Sequence, residues 1–244
     1  MFSCLMLTYN RLHHFRYGDC SWLLDESVEC FLRQTYADKE LIIVNDCPKQ
    51  HISFEHPNVK VVNVPYRFAS LGEKVNYAAS LAQGTLLCRW DDDDIYLPRR
   101  LEAQAELLTE YPYVVTKDHW VELSAKKITW DHTAGFFTAA FTREAYDAVH
   151  GYPKMGVGED QGFEKRLITA KLEIHRQAMT PETAVAIYRW GHGADHVSAH
   201  GDNGYERVGR QPIRPGHHQI KPGWRIDYDR VTRELGDGMQ AVDA

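Results

Sequence analysis

Four short apolar runs near the start of the chain, three of them ending in polar residues, constrain its fold more than any other feature. Phe2–Leu7 stops at Thr8-Tyr9-Asn10-Arg11, and Leu41-Ile42-Ile43-Val44 stops at Asn45-Asp46-Cys47-Pro48. Val59–Val64 is a third run, and Thr85–Cys88 delivers the chain through Arg89 and Trp90 to four consecutive aspartates, Asp91–Asp94. Helical patterns lie between them. Leu23, Leu24, Val28, Phe31 and Leu32 recur at near-helical spacing, and Glu73–Gln83 carries Val75, Ala78, Ala79 and Ala82 before Gly84 stops it. A continuous apolar strand is one covered on both faces. Strand–helix alternation therefore predicts an α/β fold with a mostly parallel central sheet flanked by helices. In such sheets ligands gather at the carboxyl ends of the strands. Thr8–Arg11, Asn45-Asp46 and Asp91–Asp94 occupy three of those ends, although Asn and Asp also favour turns for local reasons.

The second half is less regular. Tyr113–Val121 and Lys127–Trp130 read as strands, Gly135–Phe141 is apolar and aromatic, and Thr142 caps a short helix through Val149. Gly156-Val157-Gly158-Glu159-Asp160 precedes a helical pattern carrying Phe163, Leu167, Ile168 and Ala170, and Val185–Tyr188 is the last expected strand. From Gly201 the chain is polar and rich in Gly and Pro, and reads as an irregular arm or tail with Trp224 as its strong anchor.

A length of 244 residues fits one sizeable domain or a domain with a small appendage. The net charge of −6 excludes a global attraction for nucleic acid or anionic membranes. The five cysteines show no CxxC spacing, and Cys4 and Cys88 fall inside apolar strand patterns, which predicts a reducing compartment rather than a disulfide scaffold. No apolar run reaches the length of a membrane span, and Met1–Leu7 lacks the basic flank of a signal peptide, so the expected location is cytoplasmic.

Four like charges directly after a buried strand repel one another, and a divalent cation would turn that repulsion into binding. The plain alternative is an acidic turn capping the next helical pattern, which runs from Arg99 to about Leu108.

Taken together these stretches resemble the family 2 glycosyltransferases, nucleotide-sugar-dependent enzymes of GT-A fold. Leu7-Thr8-Tyr9-Asn10-Arg11 is similar to the family's opening Pro-Thr-Tyr-Asn-Arg box, with Leu7 in place of the proline. Gln34-Thr35-Tyr36 with Glu40–Asp46 resembles its second box, Asp91–Asp94 with Tyr96-Leu97-Pro98 its metal box, and Glu159-Asp160 its Glu-Asp box. The likeness covers roughly residues 1–200 and implies a Rossmann-like GT-A fold. Residues 1–112 would form the nucleotide-sugar half and 113–200 a smaller acceptor-side half carrying the base, with 201–244 as the tail.

The resemblance also implies the chemistry. Departure of a nucleoside diphosphate builds negative charge that Mn²⁺ or Mg²⁺ stabilises. By the match, Asp93 contacts the metal, and Asp91 meets the ribose or the metal through water. Asp92 and Asp94 are supporting or capping carboxylates, and Asp92 is counted on the donor side with Arg11. Thr8 and Asp46 would form the floor for the base with Tyr9 alongside, unless Tyr9 is simply core. Lys74 would lie near the donor, unless it faces solvent as a lysine early in a helix usually does. Asp160 would be the general base for an acceptor hydroxyl, giving inversion, with Glu159 as an orienting group. Asp160 could instead cap its helix.

His192, His196 and His200 recur every four residues, which on spacing alone allows a three-His zinc site. Gly191 and Gly193 oppose a helix there, and the resemblance instead implies that His196 completes the metal shell. The expected partners are a nucleotide-sugar donor, with UDP foremost, and a hydroxyl acceptor. A glycan precursor is the first choice of acceptor, with a modified DNA base or a protein as alternatives. Trp130, Phe136, Phe137 and Trp190 could supply an aromatic platform or belong to the core. Two rival readings are a nucleotidyltransferase, which would normally open with a Gly-rich loop where Thr8–Arg11 stands, and a non-catalytic nucleotide-sugar-binding module.

Overall fold

A computed structural model of the chain describes residues 1–12, 18–123, 127–190 and 197–243. The apolar runs of the first half become β1 (Phe2–Thr8), β2 (Lys39–Asn45), β4 (Val59–Asn63) and β5 (Leu86–Asp91), with a short β3 (Gln50–Ser53) inserted. Two helices, α1 (Ser21–Leu32) and α2 (Leu71–Leu81), connect them. Ser70 accepts a hydrogen bond from the Glu73 amide at 3.2 Å and so caps α2. Then follow β6 (Ile95–Tyr96), α3 (Arg100–Leu107), β7 (Tyr113–Thr116), β8 (His119–Leu123), β9 (Lys127–Asp131) and β10 (Gly135–Thr142). The chain continues through α4 (Arg143–Ala148), α5 (Glu159–Thr169), β11 (Ile174–Gln177) and β12 (Ala186–Trp190). A 3₁₀ segment kinked at Gly201 (Val197–Asn203), α6 (Gly204–Gly209), β13 (Gly216–Gln219) and α7 (Tyr228–Asp243) complete it.

The main sheet has seven strands in the order β11-β7-β10-β5-β1-β2-β4. Strands β5, β1, β2 and β4 run parallel, and β10 runs antiparallel between β5 and β7. Alternation within β1 explains its uninterrupted apolarity. Phe2, Cys4 and Met6 pack with Leu24, Val28 and Phe31 of α1, whereas Leu5 and Leu7 pack with Val75, Ala78 and Ala79 of α2. The register sets Thr8 beside Asn45 and Leu7 beside Asp91, which brings the polar strand ends onto one rim. A second sheet, β6-β12-β8-β9, stands beside it.

Three expectations are corrected. Tyr113–Val121 is two strands in different sheets, because the chain turns at Asp118. Its carboxylate is held there by the Met179 amide at 2.9 Å and by His132 at 2.8 Å. Ile168, expected on the buried side of α5, is 56% exposed. The segment after Gly201 is no irregular arm. It pairs β13 in parallel with β3 and buries Tyr205, Val208, Ile220, Tyr228 and Thr232. Trp224 does anchor it, donating to the Cys30 sulfur at 3.2 Å, but as one contact among several. No helix among the described residues is long and apolar enough to cross a membrane.

Candidate active site

The rim formed by β1, β2 and β5 opens into a cavity of about 1090 Å³. At one end Thr8 is buried, and its hydroxyl oxygen has no hydrogen-bond partner among the described residues. Asp46 is buried beside it, accepting from Lys74 Nζ at 2.6 Å and from the Phe68 amide at 3.1 Å. Lys74 Nζ also donates to the Thr8 carbonyl at 2.7 Å, so this lysine faces inward rather than solvent. Burial pushes the Lys74 ammonium below its ordinary pKa, against the pull of Asp46. Asn10 turns the chain out of β1 at a φ of 54°, a conformation that Asn accepts more readily than most side chains. The preceding Tyr9 stacks on the Arg67 guanidinium at 3.9 Å, and Tyr205 of α6 covers its other side at 4.1 Å. Arg67 Nη2 donates to the Tyr205 carbonyl at 2.8 Å, while Nη1 is buried with no partner among the described residues.

The acidic turn lies in the middle of the cavity. Asp91 ends β5, its amide donating to the Tyr96 hydroxyl and its carbonyl accepting from Ser27, both at 2.8 Å. Arg89 stands two residues earlier on the same face of the strand. Its Nη2 reaches Asp91 at 3.1 Å and its Nη1 reaches Glu159 at 3.1 Å. Burial pushes the Asp91 carboxyl above its ordinary range; Arg89 opposes this, and Asp93 and Asp92 add to it. Arg11 donates from Nε to Asp92 at 2.8 Å and from Nη2 to Asp92 at 2.5 Å and Asp93 at 2.8 Å. Burial opposes the Arg11 charge, yet these two carboxylates raise its pKa above the ordinary value. Asp94 points elsewhere: one oxygen accepts from the Arg189 amide at 2.7 Å, and the other is buried without a partner among the described residues. Burial and the neighbouring Asp93 and Asp91 push its carboxyl well above the ordinary range.

Glu159 and Asp160 open α5 behind Gly158, whose φ of 71° suits a residue without a β-carbon. Asp160 is half-buried and accepts from the Gln161 amide at 2.7 Å. Glu159 is buried, and burial pushes its carboxyl up to about 7, with Arg89 opposing and Asp160 adding to the shift. Phe136, Phe137, Tyr188 and Trp190 line the same cavity. Trp130 instead packs edge-on against Trp120 at 5.0 Å and does not line the cavity.

Thr8, Tyr9, Arg11, Asp46, Lys74, Asp91, Asp92, Asp93, Glu159 and Asp160 thus share one cavity. His192 and His196 lie outside the described residues, and His200 falls in the 3₁₀ segment. The donor set suits a hard cation, since Asp91 keeps 27% of its side chain exposed beside the Asp93 carboxylate. Among the described residues no three His, Cys, Asp or Glu side chains converge as a metal-holding group. Sequence reasoning missed Arg67, Arg89 and Tyr205. Arg89 had a signal, its two-residue spacing from Asp91 on a strand, whereas Arg67 and Tyr205 meet only through the tertiary fold.

The mostly parallel sheet flanked by helices is the fold of the GT-A glycosyltransferases. The chain belongs to glycosyl transferase family 2, whose model matches residues 3–166. It is similar to the O-antigen biosynthesis glycosyltransferase WbnJ of Escherichia coli, 33% identical over 101 residues that make up 39% of this chain and 37% of WbnJ. The match therefore spans little more than a third of that relative's length. In fold it resembles S. aureus TarS 1–349 in complex with UDP-GlcNAc (TM-score 0.57, 15% identity, 79% of this chain and 59% of that one). It also resembles the mannosyltransferase PcManGT from Pyrobaculum calidifontis in complex with GDP-Man and Mn²⁺ (TM-score 0.56, 15% identity, 85% and 60%).

Proposed function

We propose that the protein is an inverting, divalent-cation-dependent glycosyltransferase that moves a sugar from a UDP-linked donor to a hydroxyl of a glycan precursor. The observation that carries this reading is the shared cavity, with Asp91 and Asp93 between the Thr8–Asp46 end and the Glu159–Asp160 end. The unpartnered Thr8 hydroxyl and Arg67 Nη1 fit the hydrogen-bonding edge of a nucleotide base. Asp93 and Asp91 would hold Mn²⁺ or Mg²⁺, which when bound supplies charge stabilisation at the departing diphosphate. Arg11, already on Asp92 and Asp93, adds fixed positive charge at the same place. On the other side Asp160 takes the proton of the acceptor hydroxyl, which then attacks the anomeric carbon opposite the leaving group and inverts it. Phe136, Phe137 and Trp190 give the acceptor aromatic surface in the same cavity, which suits the faces of a sugar ring.

The UDP-GlcNAc and GDP-mannose named with the two similar structures support a nucleotide-sugar donor, and the O-antigen role named for WbnJ supports a glycan acceptor. The test is Mn²⁺-dependent release of the nucleoside diphosphate, UDP or GDP, from a panel of UDP- and GDP-sugars. Asp93→Ala is expected to lower turnover by about 10²–10³-fold, and Asp160→Asn by about 10²–10⁴-fold with donor binding retained. Full turnover in both variants would sink the mechanism.

A further inference from the structure

Behind the acidic turn lies a set of buried polar contacts that do not line the cavity. Glu26 of α1 is completely buried, a costly place for a carboxylate unless it is well paired. It accepts from Arg189 Nη1 at 2.5 Å, from the Arg225 amide at 2.8 Å and Nε at 3.2 Å, and from the Tyr228 hydroxyl at 3.2 Å. Arg189 of β12 is equally buried. It faces the acidic turn as well: its Nε donates to the Asp93 carbonyl, and its amide donates to the Asp94 carboxylate at 2.7 Å. One guanidinium fork thus joins Glu26 to the backbone of the turn, a geometry that a lysine cannot reproduce.

We propose that Arg225 and Tyr228 of the C-terminal segment, through Glu26 and Arg189, position the acidic turn for cation binding. The inference rests on the metal-dependent reading above. A buried ion pair seldom stabilises a fold more than apolar residues of the same volume would. Here its partners are the backbone of Asp93 and the side chain of Asp94, so its effect falls on the direction in which the turn presents its carboxylates. Outer contacts of this kind commonly set metal affinity by about 10–100-fold. The C-terminal segment thereby becomes part of the donor site without touching the donor.

The test uses the full chain and Mn²⁺, with free Mn²⁺ read by electron paramagnetic resonance in the presence and absence of UDP. Arg189→Met risks unfolding the core, so the informative variants act at the outer end of the relay. They are Tyr228→Phe, Arg225→Ala and the double variant, with Arg225 already half-exposed at its side chain. The double variant is expected to keep its circular dichroism spectrum and its cation-free UDP affinity while losing about tenfold in Mn²⁺ affinity. Arg189→Lys, where folded, is expected to lose at least as much. A lower Tm with wild-type Mn²⁺ affinity would overturn the inference and leave the relay as a structural support only. Failure of the wild-type protein to bind Mn²⁺ with UDP would overturn the metal reading itself, and this inference with it.

Discussion

At the β1–β2 end of the cleft Asp46 is clasped by Lys74 at 2.6 Å and by the Phe68 amide at 3.1 Å, while at the α5 end Glu159 must share one guanidinium with Asp91. Both carboxylates are buried, but only the first has a cation of its own. Glu159 is left under-compensated, and its carboxyl rises to about 7, within reach of physiological pH. One end therefore carries a close buried ion pair. The other carries a carboxyl whose charge a proton can change near neutral pH.

Breaking the tight end should have the larger effect. Lys74→Met leaves Asp46 buried without its ammonium, and urea denaturation is expected to show a loss of about 3–5 kcal/mol. Adding Asp46→Asn to that variant should restore part of the loss. A cost below about 1 kcal/mol for Lys74→Met would mean that the pair is not the anchor it looks to be.

The loose end is sharpened by pH. The ordinary Glu159 value of 4.5 rises to about 7 on folding, so between these values the folded chain holds a proton that the unfolded chain has released. This contribution to stability is complete below about 4.5 and is lost as pH rises towards about 7, with a slope of up to about 1.4 kcal/mol per pH unit. Glu159→Gln should remove that slope from denaturation curves taken across the window. Identical slopes in the two proteins would show that Glu159 ionises normally.

The smallest effect serves as a control. Glu206 of α6 and Arg210, just beyond that helix, form an exposed pair at 3.1 Å, and neither lines the cavity. Arg210→Ala is expected to change stability by less than about 0.5 kcal/mol, because water and salt screen such pairs. A larger change would mean that the pair is more than a screened surface contact.

Much of this site was legible in the chain. The Thr8, Asp46, Asp91–Asp94 and Glu159-Asp160 stretches each end a strand or open a helix, and local pattern is enough to find such places. Within the aspartate run the structure separates Asp94, which faces Arg189, from Asp92 and Asp93, which face Arg11. Spacing alone cannot make that separation, because it depends on which distant arginine reaches the turn. The second half was harder to read. The break between β7 and β8 depends on Asp118 finding Met179 and His132, partners 61 and 14 residues away.

By itself the sequence determined the α/β class, the parallel strands with polar ends and the acidic turn, since strand burial and helix periodicity are written in neighbouring residues. Only the tertiary structure decided that Arg89 ties Asp91 to Glu159, that Tyr205 covers Arg67, and that the segment after Gly201 is built into the domain. The physical reason is range. Apolar alternation acts within a few residues, whereas a buried charge is settled by whichever opposite charge the whole fold brings within about 3 Å of it.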